Sequence, residues 1–256
     1  MRSRLVGSSV LLLALSASAL TGCASFDAGP VVSQERAVPD VAAVELDTSG
    51  DLTVTLGATP ALTVTAGERV IEHLTAHVEG GVLRLGMNGE PVLRNGEIRY
   101  ELTVSSLESL VVQGSGDARI DLSGAIAPTV TVRGSGDVEA TGIDAATAVL
   151  RVDGAGEIVA HDTVVEDLTV RIDGSGTVAI DGAARSQDVS IRGSGEHTAE
   201  DLRSEDAFVS IRGSGSADVT VDGNLAVVID GSGDVSYGGE ARVTQEIAGS
   251  GDVRRR

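Results

Sequence analysis

The tripeptide Gly-Ser-Gly begins at residues 114, 134, 174, 193, 213, 231 and 249, and Gly-Ala-Gly stands in phase with them at 154. Successive starts are 20, 20, 20, 19, 20, 18 and 18 residues apart. Two positions before each start is an aliphatic: Val112, Val132, Val152, Ile172, Ile191, Ile211, Ile229 and Ile247. Two positions further back are Leu110, Val130, Leu150, Val170, Val189, Val209 and Val227, and only Gln245 breaks the column. After the tripeptide, apolar residues resume two apart, as in Val138/Ala140, Ile158/Ala160 and Val178/Ile180. Period two on both sides of a glycine corner predicts two short strands per repeat. A unit this short cannot bury its own apolar face, whereas stacked units can, like above like. The repeat therefore predicts an all-β fold, a parallel β-helix (solenoid) of about 20-residue coils. Right-handed winding is the expectation for parallel crossovers. Eight coils at a strand spacing of about 4.8 Å give a rod on the order of 40 Å long.

Other repeat architectures fit less well. A β-propeller needs about 40 residues and four strands per blade, and nothing alternates between odd and even repeats here. Leucine-rich repeats need an Asn or Cys column and a helical segment. Calcium-binding nonapeptide repeats have the wrong period. Residues 41–104 are less regular, but "AVELDTSGDLTVTL" carries a degenerate first copy ending in Ser49-Gly50-Asp51. "ERVIEHLTAHVEG" has room for a short helical turn, and strands with glycine turns surround it. No linker follows residue 41. Residues 41–256 are expected to be one domain, with 41–104 as irregular opening coils and 105–256 as regular coils. Its core must be built of Val, Ile, Leu and Ala, because aromatics make up only 2% of the chain.

The first 22 residues read as a signal peptide: Arg2 and Arg4, an apolar run to Leu20, then small residues. Leu20-Thr21-Gly22-Cys23 resembles the bacterial lipobox, in which the cysteine is diacylated and becomes the new N-terminus. Two acyl chains suffice for stable anchoring. Cys23 is the single cysteine, so it is the expected lipidation site, and no intramolecular disulfide is possible. The expected location is outside the cytoplasm, lipid-anchored to the cell membrane or outer membrane. Residues 23–40, polar with two prolines, read as the lipidated N-terminus and a flexible tether.

The lipobox, the opening strand from Val44 to Gly57, the Gly81–Leu85 segment and the ladder of corners together resemble the bacterial putative auto-transporter adhesin head GIN domain family. The segment from Asp234 to Arg256 is also similar to that family's closing segment. The resemblance covers roughly residues 40–253 and implies a β-helical domain, secreted or held at the surface. It implies no reaction. A complete autotransporter would carry a membrane β-barrel after its passenger, and no such strands are expected up to Arg256.

Residues with chemistry are arranged as columns. Ser115, Ser135, Ser175, Ser194, Ser214, Ser232 and Ser250 recur with no histidine at a fixed offset, and Ala155 stands in line with them. A nucleophile needs one serine with a base beside it, so this column is expected to be structural. Asp117, Asp137, Glu157, Glu196, Asp234 and Asp252 follow the corners, interrupted by Thr177 and Ser216. Stacked carboxylates would attract a cation such as Ca²⁺. The interruptions instead favour carboxylates that accept hydrogen bonds from their own turn's backbone N–H groups. His73 and His77 have a helical zinc spacing, but no third ligand is near and the alternation from Leu74 to Val78 indicates a strand. His161 and His197 lie in different coils and nothing in the spacing pairs them. Neither a metal nor a cofactor is expected.

The formal net charge is −19, which argues against nucleic acid as a partner. Expected partners are the membrane, through the lipid on Cys23, and an envelope or surface partner, protein or glycan. The expected role is non-catalytic: an anchored β-helix presented for adhesion, envelope interaction or scaffolding. One alternative is a carbohydrate-active enzyme, since β-helices host polysaccharide-processing sites built on carboxylate pairs. Scarce aromatics and the lack of irregular insertions argue against it. The other alternative is a Ca²⁺-stabilised structural module. Arg254-Arg255-Arg256 reads as a charged tail that blunts the last strand edge.

Overall fold

The computed structural model describes residues 28–89 and 96–256. Its opening part contains β1 (Val31–Arg36), β2 (Ala43–Leu46), β3 (Asp51–Leu56), β4 (Ala61–Gly67), a one-turn helix α1 (Glu68–Ile71), β5 (Leu74–Glu79), β6 (Val82–Met87) and β7 (Arg99–Val104). The regular part begins with β8 (Ser109–Val112), β9 (Ala118–Asp121), β10 (Thr129–Val132), β11 (Asp137–Thr141) and β12 (Asp144–Gly154). It continues through β13 (Glu157–Gly174), β14 (Thr177–Gly193), β15 (Glu196–Gly213) and β16 (Ser216–Gly231). It closes with β17 (Asp234–Gly238), β18 (Arg242–Gly249) and β19 (Asp252–Arg255).

The chain folds as the expected β-solenoid, with parallel strands about 20 residues apart and about seven turns. Val112 pairs with Val132, Val132 with Val152, Val152 with Ile172, and the column runs on to Ile229 and Ile247. On the other side of the corner Val138, Ile158, Val178, His197, Ala217 and Val235 stack in the same way. These side chains point inward and all six are at most 1% exposed. Each coil thus supplies an apolar layer that only its neighbours can cover, which is why the repeat must be stacked.

Both glycines of a corner press against the coil before them, and from Gly154 onward the first carries a second constraint. The first adopts φ from +118° to +148° in Gly154, Gly174, Gly193, Gly213, Gly231 and Gly249, a region closed to side chains. The second keeps an ordinary φ, and like the first, where a Cβ on Gly174 would lie 2.3 Å from the carbonyl oxygen of Gly154, it runs against the coil before it. A Cβ on Gly136 would lie 2.1 Å from the carbonyl oxygen of Gly116. The degenerate first copy obeys the same rule, since a Cβ on Gly116 would meet the carbonyl oxygen of Gly50.

The irregular steps also have a local cause. Thr163 pairs with Gly182, a 19-residue offset, after Asp162 is bulged out of register. Asp162 takes φ +54°, the left-handed conformation that Asp tolerates better than most residues. Asp181 accepts its backbone N–H at 2.8 Å.

The opening part is ordered in space differently from its order in the chain. The β2/β3 coil stacks directly on β8 and β9. The later strands β6 and β7 cover its opposite side, pairing with β2 and β3 respectively. Beyond them, antiparallel β5 pairs with β6, β4 with β7 and β1 with β4. The described residues of 57–89 and 96–107 are therefore a cap folded back over the start of the solenoid.

The expectation of a flexible tether reaching residue 40 is corrected here. β1 is a sheet strand, with Ser33 hydrogen-bonded to Thr65 at 2.8 Å. Arg36 donates to the carbonyls of Leu74 and Ile71 at 2.7 and 3.0 Å. Ala28 packs so closely on Gly67 that a Cβ there would lie 2.4 Å from its carbonyl oxygen. "VVSQER" looks like a linker because an outermost strand needs only one packed face, and a polar sequence satisfies that. Cys23 and the signal peptide lie outside the described residues.

Candidate functional site

The corner serines are exposed along one edge of the solenoid. Their backbone N–H groups, not their hydroxyls, hold the corner: Ser175 donates to Gly154, Ser194 to Gly174 and Ser214 to Gly193, at 2.8–2.9 Å. Ala155 makes the same bond to Gly134, so the position needs no hydroxyl.

The acidic column has a different role from the one its sequence indicates. Asp117 Oδ1 accepts the N–H of Asp137 at 3.0 Å, and Asp137 Oδ1 accepts that of Glu157 at 3.1 Å. Asp234 does the same for Asp252 at 3.2 Å. The expected bonds within one turn are thus replaced by bonds to the following coil. Parallel stacking brings the equivalent N–H of the next coil beside each carboxylate, and a charged acceptor on a backbone N–H is a favourable pairing.

The histidines separate. His73 follows α1, whereas His77 sits within β5 opposite Arg84, whose cation opposes a bound metal there. His161 Nδ1 meets Asp181 Oδ2 at 2.7 Å. That hydrogen bond raises the His161 pKa and lowers that of Asp181. His197 is fully buried, and burial pushes its pKa down to about 4. Its Nε2 lies 3.5 Å from Gln187 Oε1, while Gln187 Nε2 donates to Ser204 Oγ at 2.8 Å. Ser204 in turn donates to the carbonyl of Thr220 at 3.1 Å. His197 pairs with Ala217 and Gln187 with Ala207 of the next coil, so each long polar side chain has a small residue stacked on it. Sequence spacing does not reveal this polar chain, because its members come from three different columns.

A shallow groove of about 360 Å³ lies over β9, β11 and β13, lined by Asp117, Arg119, Asp137, Glu139, Val159 and His161. Its charged groups are already engaged: Asp117 and Asp137 with backbone, Arg119 with Glu139 at 3.2 Å, and His161 with Asp181. Among the described residues no three His, Cys, Asp or Glu side chains are grouped to hold a metal ion. No helix there is long and apolar enough to cross a membrane. Sequence reasoning also passed over Phe208, whose exposure depends on a register that only the stacked coils define.

Comparison with known proteins is consistent with this geometry. The chain is similar to a crystal structure of a putative adhesin from Parabacteroides distasonis, with TM-score 0.78 and 21% identity over 89% of this chain and 98% of that one. It is similar to a putative adhesin from Parabacteroides merdae, with TM-score 0.77 and 20% identity over 89% of this chain and 97% of that one. It is also similar to a putative lipid binding protein from Parabacteroides distasonis, with TM-score 0.76 and 24% identity over 89% of this chain and 97% of that one. At these identities the likeness shows the fold. No curated protein matches. The family model described as putative auto-transporter adhesin, head GIN domain, matches residues 41–241. The chain belongs to that head GIN domain family of putative auto-transporter adhesins.

Proposed function

We propose that this protein is an exported lipoprotein, anchored through diacylated Cys23, that presents its β-solenoid outside the cytoplasm as a non-catalytic adhesin. Family membership supports adhesion. The observation that carries the non-catalytic part is the use made of the repeated polar residues. Corner backbone and column carboxylates bind the adjacent coil, so the groups most like a reaction centre serve the stacking. The anchor is supported by the lipobox-like Leu20-Thr21-Gly22-Cys23 that follows an apolar run.

Metabolic labelling with radioactive palmitate, followed by membrane fractionation, tests the anchor. Wild type is expected to carry label and sediment with membranes. Cys23→Ala is expected to be unlabelled and soluble. An unlabelled wild type, or a Cys23→Ala protein retained in the membrane as firmly as wild type, overturns the anchor.

A further inference from the structure

We propose that the outer face of β14, β15, β16 and β18 carries a saccharide-binding subsite centred on Phe208. The inference rests on the adhesin reading for its setting and deepens it by naming the chemical class of partner. Of the chain's aromatic residues, Phe26 lies outside the described residues, Tyr100 is fully buried and Tyr237 packs against the core. Phe208 instead faces solvent and is 43% exposed. The stacking places it between Asp188 of one coil and Ala226 of the next, with Thr244 one coil further on. Asp188 is tied to Arg171 at 2.8 Å and closes one end. Ala226 and Thr244 are small and leave the other side of the ring open.

The result is a groove of about 440 Å³ whose polar lining is Ser186, Asp206, Asn224, Arg242 and Thr244. This volume lies within the roughly 300–1,000 Å³ range of small-molecule sites. Asp206 Oδ1 accepts both the backbone N–H and the side-chain amide of Asn224, at 3.0 and 2.8 Å. These bonds fix the two planar groups beside the ring and leave Asp206 Oδ2 and Asn224 Oδ1 available as acceptors. Arg242 is exposed and supplies donors at the same edge.

The chemistry of this groove selects among ligands. A pyranose has an apolar face of C–H groups that packs on an aromatic ring, whose face is electron-rich. Its rim of hydroxyls both donates and accepts, matching a lining that contains a carboxylate, an amide, a guanidinium and hydroxyls. An extended peptide matches poorly, because recognition by strand addition needs free backbone groups. Here the backbones of β14, β15 and β16, which carry Phe208 and its nearest neighbours, are paired on both sides, and only β18 at the end of the face keeps a free edge. Asp206 and Arg242 together disfavour a ligand of either pure charge. The coil rise of about 4.8 Å is close to the length of one pyranose unit, so a sugar chain crossing the coils would place successive rings over successive strands.

The test uses the full-length protein in detergent, titrated calorimetrically with cellohexaose, chitohexaose, mannohexaose and dextran. At least one of these is expected to bind wild type. Phe208→Ala is expected to weaken that binding about tenfold or more, and Arg242→Ala several-fold. The chain contains no Trp, so Phe208→Trp supplies a single reporter that should retain binding and change its fluorescence with the same saccharide. Unchanged unfolding midpoints for these exposed positions separate lost binding from lost fold. The proposal is overturned if none of the four probes binds wild type, or if Phe208→Ala binds them equally well. It is also overturned if the face captures a polypeptide while the saccharides do not distinguish wild type from Phe208→Ala. Palmitate labelling reads the anchor alone, so failure here is distinguishable from failure of the anchored reading.

Discussion

Adjacent residues of one corner should respond very differently to replacement by alanine. A Cβ on Gly136 would sit 2.1 Å from the Gly116 carbonyl and 3.2 Å from Val112 Cγ1. The Gly116 backbone on one side and the buried Val112 side chain on the other prevent an easy shift, so Gly136→Ala is expected to cost about 3 kcal/mol or more. Ser135→Ala is expected to stay within about 0.5 kcal/mol, since Ala155 occupies the equivalent place. Urea midpoints at constant m check both. The sequence made the need for glycine plain at these two columns. It could not show that both columns approach the preceding coil's backbone while a left-handed φ is confined to the first column from Gly154 onward, because each reads only as a repeated glycine. His197 makes a second residue-level prediction. Its folded pKa of about 4 lies below the unfolded value, so its contribution is complete above about pH 6.5. As pH falls from there the unfolded chain takes up a proton that the folded chain refuses, and stability drops until about pH 4. The loss is on the order of 3 kcal/mol. His197→Leu should remove that share of the acid sensitivity, measured as the difference in unfolding free energy between pH 7 and pH 4. A variant with the acid slope of wild type would contradict it.

Between strands, the acidic column and β1 carry the instructive cases. Asp137 accepts the Glu157 N–H of the next coil, so Asp137→Ala should cost about 1 kcal/mol. Asp137→Asn keeps the acceptor and should recover most of it. EDTA or millimolar Ca²⁺ should leave the unfolding midpoint unchanged, because these carboxylates act as backbone acceptors; a midpoint that rises with Ca²⁺ would revive the cation reading. Arg36→Ala removes two donors from the Leu74 and Ile71 carbonyls, and should cost about 1–3 kcal/mol in thermal or urea unfolding. The strands of the regular coils were legible, since each column of Val and Ile repeats at the coil period. β1 was not, because its alternation is weak and its packing partner β4 lies some thirty residues away.

Across the whole molecule, periodicity reveals neighbours only where chain order and stacking order agree. They agree from β8 onward. They disagree at the cap, where β6 and β7 return to cover β2 and β3, and no repeat signal marks that return. The functional surface was less legible than the fold for the same reason. Asp206, Phe208, Asn224 and Arg242 are unremarkable in sequence and converge only when three coils stack. Docking of the chain from Ala28 also changes the expected presentation. With Cys23 lipidated as proposed, the five residues to Ala28 span at most about 17 Å, which would hold the capped end of the solenoid close to the bilayer.

Display at the surface can be measured directly on intact cells. Cys23 is the only cysteine, and when acylated it has no free thiol, so Ser214→Cys places one reactive group on the exposed corner edge. A membrane-impermeant maleimide is applied to intact cells and, in parallel, to lysed ones. Display as an anchored adhesin predicts labelling of Ser214→Cys on intact cells to nearly the extent seen after lysis, and none in wild type. Labelling that appears only after lysis would contradict it.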